Sequence, residues 1–193
     1  MAEAAIRRMT LEEFLRWDDG TDRRYELIDG FPVAMAPPAR AHGILCARLG
    51  GLIDAALRSR RPCAAQIEAG IARPDGDDSF YVADIAVSCQ PYTQGEQLVQ
   101  EPILIVEILS PSTERNDRRQ KLPAYQEIGS VREIVFIDAD SHHAEVYRRD
   151  NSHWEIELVR GADATLFLAS VELRTSMSEL YEGIAIPAGT DQS

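Results

Sequence analysis

Lysine is almost missing from this chain: of its 20 basic side chains, all but Lys121 are arginine. Positive charge as a whole is short, with 20 basic against 32 acidic residues and a formal net charge of −12. That balance excludes the broadly basic surface by which most nucleic-acid binders neutralise phosphates, and leaves any such partner to local arginine patches. No apolar run approaches the roughly 20 residues that span a bilayer. The N-terminus, MAEAAIRRMTLEEF, is charged where a signal peptide carries an apolar stretch of about 7–15 residues. Cysteine is scarce too. Cys46, Cys63 and Cys89 are odd in number, far apart and without CxxC spacing. They argue against a disulfide framework or a zinc knuckle, predict three buried thiols, and point to the cytoplasm. A Gly-rich phosphate loop and a dinucleotide fingerprint are also lacking.

What is present reads as one soluble α/β domain over 1–186, with 187–193 as a disordered tail. Thr10 followed by Glu13 forms a capping box for a short helix, TLEEFLRW, and Met9 with Phe14 fits the hydrophobic staple around it. RRYELID and FPVAMA flank Asp29-Gly30, a favoured two-residue hairpin turn. Apolar residues from Ile44 to Leu57 recur at helical spacing, predicting a long helix from His42 to about Arg60 with Gly50-Gly51 as a weak point. Strands follow at AAQIEAGIA, FYVADIAVS and ILIVEIL, then helix from about Thr113 to Ile128, which Pro123 should kink or restart. REIVFID, HAEVYRR and HWEIELV read as further strands, and ELRTSMSELYEGI as mixed structure. This order predicts a mixed central sheet flanked by helices.

Two acids stand where acids are expensive. Ile103 to Leu109 is apolar on both faces apart from Glu107, which marks a central strand covered on both sides. Asp84 interrupts the preceding strand, YVADIAV, in the same way. An ionised carboxylate in such a place loses several kcal/mol of hydration unless something compensates. Adjacent pairing would set the two side by side, and two neighbouring carboxylates ionise cheaply only with a cation between them. Hard oxygen donors in small number suit Mg²⁺. The plainer alternative is that each acid meets an arginine.

Lys121 follows Glu107 on the next helix. Lysine is a compact ammonium where arginine is a fixed fork, so its single use is suggestive. Asp117, Lys121 and Tyr125 are spaced by four and share a helix face, which equally allows an ordinary Asp–Lys pair. Basic patches are Arg58, Arg60 and Arg61; then Arg115, Arg118, Arg119 and Lys121; then Arg148 and Arg149. His42 could approach the acids, but a histidine at a helix start is more often structural. His142 and His143 beside Asp138 and Asp140 suggest a second metal site less well than a solvated loop.

Taken in order, RRYELIDG, the proline pair with His42 after it, ADIAV and EILSPSTERNDRRQKLPAY resemble the Uma family of putative restriction endonucleases, from about Thr10 to Tyr181. The resemblance implies a PD-(D/E)xK nuclease-like fold with an acidic Mg²⁺ site. It matches Asp84 and Glu107 to the motif acids and Glu26 to an additional ligand. The motif lysine two residues after Glu107 is replaced by Leu109, and Lys121 matches the position to which the family moves it. Ala83 stands for the usual proline before Asp84, Phe31 for a common acid, and REIVFID lacks a frequent tryptophan.

The function expected is metal-dependent phosphodiester hydrolysis by a DNA endonuclease. Asp84, Glu107 and Lys121 would be catalytic, Asp84, Glu107 and Glu26 would hold Mg²⁺ (Mn²⁺ substituting), and Arg115, Arg118 and Arg119 would bind substrate. Cutting both strands of a duplex is simplest with two sites, which predicts a homodimer. One rival is a scaffold of the same fold, favoured by the net charge and separated by metal titration. The other is a hydrolase of small phosphate esters, separated by a substrate panel.

Overall fold

A computed structural model describes residues 7–74, 76–110, 114 and 117–186. The expected tail at 187–193 and Arg115 lie outside them.

The capping box forms as expected. Thr10 accepts the Glu13 backbone N–H, and the Glu13 side chain accepts from Thr10 in return, which starts α1 (Leu11–Leu15). Phe14 from this helix packs on Leu27 and Phe80, with Met9 beside them. β1 (Tyr25–Ile28) and β2 (Phe31–Ala34) pair across Asp29-Gly30. Both turn residues have positive φ, +50° and +82°, the geometry that favours Asp-Gly in a type I′ hairpin.

The long helix, α2 (Arg40–Ala56), starts two residues before His42 and gives way to a 3₁₀ turn at Leu57–Ser59. It runs through Gly50 and Gly51 without a break, and a Cβ at Gly50 would meet the end of the Ile67 side chain on β3 (Ala64–Ala72) at 2.7 Å.

β3 pairs along β4 (Phe80–Ser88), and β4 pairs with β5 (Pro102–Leu109). β6 (Glu133–Asp138) runs parallel to β5; β7 (His143–Asp150) and β8 (His153–Arg160) extend the sheet antiparallel. The strand order is β2-β1-β4-β5-β6-β7-β8, with β3 on the other edge of β4. β9 (Thr165–Leu168) and β10 (Leu173–Ser176) form a separate ribbon, followed by α4 (Met177–Leu180). β5 is buried along its whole length and divides two cores. Leu104, Val106 and Ile108 face α2 and the C-terminal ribbon, whereas Ile105 and Leu109 face α3 (Leu122–Glu127). The mixed sheet with helices on both faces is the architecture expected. No helix among the described residues is long and apolar enough to cross a membrane.

One expectation needs correcting. Cys63 and Cys89 are joined in a disulfide, so only Cys46 is a buried thiol. The β3–β4 register explains it: Ala64 faces Ser88, so Cys63 and Cys89 are the next opposed pair. With this pairing the cysteines no longer point to a reducing compartment. The restart expected at Pro123 forms, and the helical turn before it, Asp117–Lys121, is π-helical. Proline clashes with the carbonyl four residues back in a regular helix; the wide turn ends at Lys121 and α3 starts afresh with Pro123 in its first turn.

Candidate active site

The sheet has a notch. On the edge of β4 that faces β5, the ladder runs only from Ser88 to Ile85, and β1 meets the same edge at Phe80 alone. Between them, backbone groups are served by side chains. The Val82 N–H donates to Glu26 Oε1 at 3.0 Å, and Lys121 Nζ donates to the Val82 carbonyl at 3.2 Å. The Ile108 N–H donates to Asp84 Oδ2 at 2.6 Å, in place of a ladder bond.

Asp84 and Glu107 come together here, since they are the facing positions next after the Ile85–Val106 pair. Lys121 reaches Glu107 from the π turn. Its ammonium is 3.0 Å from Glu26 Oε1, 3.1 Å from Glu107 Oε1 and 3.3 Å from Asp117 Oδ1. The nuclease-like and the helix-pair geometries therefore coexist: Lys121 meets both Glu107 and Asp117. Tyr125, one turn on in α3, donates its hydroxyl to Glu107 Oε1 at 2.6 Å. Glu26, Glu107, Asp117, Lys121 and Tyr125 are all buried.

From α2, on the other face, His42 Nε2 lies 3.0 Å from Asp84 Oδ1, and both side chains are partly exposed. His42 Nδ1 is buried without a hydrogen-bond partner among the described residues. The sequence reading gave this histidine a structural role. Its position after the proline pair was the available signal, but nothing along the chain reveals that α2 aims it at Asp84.

Electrostatics follow from crowding. Burial pushes the Glu107 carboxyl well above the usual range, and Asp84 and Asp117 add to this while Lys121 opposes it. Burial alone would lower the Lys121 pKa, but Glu107, Glu26 and Asp117 outweigh it and hold the ammonium protonated beyond its ordinary range. The hydrogen bond to Asp84 raises the His42 pKa against desolvation. Three carboxylates thus surround one ammonium in a closed space, and Asp84 adds a fourth at the partly exposed edge beside His42. A hard divalent cation suits that surplus of anionic oxygen. Asp84 and Glu107 are the residues that would hold it, while Glu26 Oε1 is engaged by Lys121 and Val82.

The arginines fare differently from one another. Arg118 is locked in a bidentate pair with Glu145, at 2.6 and 3.0 Å, bonds Glu114, and lies over the Phe136 ring. Arg119 is exposed. Arg148 ties to Glu133, and Arg149 donates to the carbonyls of Val131, Gln126 and Ile128, so that third patch is part of the architecture. Asp138 caps its own turn through Asp140 and Ser141. Among the described residues, one trio of potential ligands closes within 4.8 Å: Asp150, His153 and Glu155, exposed where β7 and β8 meet.

Comparison with known proteins bears on the family and the fold. A family model described as Uma2, putative restriction endonuclease, matches residues 11–178. The uncharacterized Synechocystis protein slr1290 is 25% identical, covering 94% of this chain and 96% of its own. A second protein from that strain, sll1609, is 24% identical over 86% of this chain and 96% of its own. The crystal structure of a putative nuclease of the DUF820 group from Anabaena variabilis superposes with a TM-score of 0.74. It is 23% identical and the match covers 90% of this chain and 97% of that one, a likeness of fold.

Proposed function

We propose that this chain, which belongs to the Uma2 family of putative restriction endonucleases, is a metal-dependent nuclease that hydrolyses phosphodiester bonds of DNA. The observation that carries this reading is the single lysine, buried in the notch with its ammonium 3.1 Å from Glu107 at the point where Asp84 faces that acid. Asp84 and Glu107 would hold Mg²⁺, with Mn²⁺ able to substitute. When bound, such an ion polarises a phosphoryl oxygen and lowers the pKa of water.

The chain's own residues have separable tasks. Lys121 stays protonated, so it is no general base; it offers a fixed positive charge to anionic phosphate oxygens as charge develops on them. Glu26 and Asp117 hold that ammonium in place, and Tyr125 restrains Glu107. The partly exposed Asp84 side of the notch is where substrate would enter, because Glu107 and Lys121 are closed off behind it. Exposed Arg119 serves phosphate contact better than Arg118, whose fork is taken. A homodimer would cut both strands of a duplex.

The test incubates purified protein and Lys121→Ala with supercoiled plasmid, single-stranded DNA, RNA and a small phosphate ester, under Mg²⁺, Mn²⁺ or chelator. Metal-dependent plasmid nicking that Lys121→Ala abolishes is expected. Cleavage of the small ester alone would replace nuclease by phosphoesterase. No cleavage and no metal binding would support a scaffold, the reading that the net charge of −12 favours.

A further inference from the structure

None of the tasks above uses His42. It lies in the first turn of α2, on the face of the sheet opposite Lys121 and Tyr125, at the open side of the notch. Asp84 cannot swing away from it without losing a bond, since its second oxygen is anchored by the Ile108 N–H at 2.6 Å. What remains free to meet an incoming cation is Oδ1, and Nε2 of His42 is 3.0 Å from it.

That separation fits a shared ion. Two neighbouring ligand atoms of an octahedral centre with bonds of about 2.1 Å stand about 3 Å apart. Glu107, drawn back by Lys121 and Tyr125, does not close a trio with these two within 4.8 Å. The part of the notch already at ligand spacing is therefore the His42–Asp84 pair. The contact with Asp84 is what orients the His42 ring toward the open side of the notch.

We propose that His42 Nε2 is a direct ligand of the ion that Asp84 holds, making a mixed nitrogen–oxygen centre that selects Mn²⁺ over Mg²⁺. The inference rests on the metal reading above and sharpens its choice of ion. Carboxylate-only sites accommodate Mg²⁺ readily, whereas an imidazole favours first-row transition ions. Ligation at Nε2 leaves the ring proton on Nδ1.

The experiment titrates metal-free parent, His42→Ala and His42→Gln with Mn²⁺ and with Mg²⁺ by calorimetry, and records the pulsed EPR spectrum of bound Mn²⁺. The parent should bind Mn²⁺ at least about tenfold more tightly than Mg²⁺ and show the hyperfine coupling of a directly bound nitrogen. His42→Ala should lose both the coupling and the preference, with Mg²⁺ affinity little changed. His42→Gln keeps an amide donor for Asp84, so it guards against a variant that fails only by misfolding; it too should lose the coupling. Mn²⁺ bound by the parent without a directly bound nitrogen would overturn the proposal and leave the Asp84–Glu107 reading intact. So would full Mn²⁺ affinity in His42→Gln. A parent that binds neither ion would remove both.

Discussion

Replacing Glu107 by glutamine removes one of three carboxylates that share the Lys121 ammonium, at 3.0, 3.1 and 3.3 Å. Glutamine keeps an oxygen for the Tyr125 hydroxyl and for Lys121, and it discards a buried charge that burial already disfavours. The metal-free variant should therefore melt at or above the parent's temperature. Metal reverses the ranking. An ion at 100 times its Kd stabilises a folded chain by about 2.7 kcal/mol. At roughly 2–4 °C per kcal/mol for a domain of this size, the parent should gain about 5–10 °C on adding Mn²⁺. Glu107→Gln should gain little. Scanning calorimetry with and without metal reads both effects. The pH arm has a definite sign. With its folded pKa raised, Glu107 binds more protons folded than unfolded above about pH 4.5, so it makes stability fall as pH rises from there to the folded pKa. Glu107→Gln should flatten that decline. A variant that melts well below the parent without metal, and keeps the full metal shift, would refute the reasoning.

Lys121→Met should leave three buried carboxylates uncompensated and lower stability by about 3–5 kcal/mol in denaturant titrations. Lys121→Arg, too large and too forked for the closed cluster, should cut plasmid nicking by about 100-fold or more while metal binding persists; full activity would reduce Lys121 to a helix pair. Arg119→Ala should reduce the salt slope of DNA binding by about one unit, whereas Arg118→Ala should instead lower stability by about 1–2 kcal/mol through the loss of Glu145. Equal slopes for both variants would place the phosphate contacts elsewhere. Cys63→Ser should destabilise the chain by about 3 kcal/mol, because the disulfide closes a 26-residue span; the same loss should appear when the parent is reduced.

Local chemistry was the legible part of the fold. The capping box at Thr10, the Asp-Gly hairpin and the run of Ile103 to Leu109 each act through near neighbours, and each appears where the sequence predicts it. The two acids stood out because a carboxylate in an apolar strand needs a reason. Features set by register or by approach between layers did not stand out. Cys63 and Cys89 are paired by the β3–β4 alignment, which no spacing rule encodes. Arg118 looked like one member of a basic patch until β7 brought Glu145 against it. His42 needed α2 to lie across the sheet where its first turn meets Asp84.

Where β4 and β5 part company, Asp84, Glu26 and Lys121 do the hydrogen bonding that a neighbouring strand does elsewhere. The sheet is thus knitted shut with the very side chains that would perform catalysis. A descendant of this fold that stopped turning over any substrate would still be obliged to keep them, since losing one would leave a buried amide or carbonyl bare. Their presence in a related chain is therefore poor testimony to activity. His42 is a better witness: it meets the site through the Asp84 side chain, and it bridges no strands.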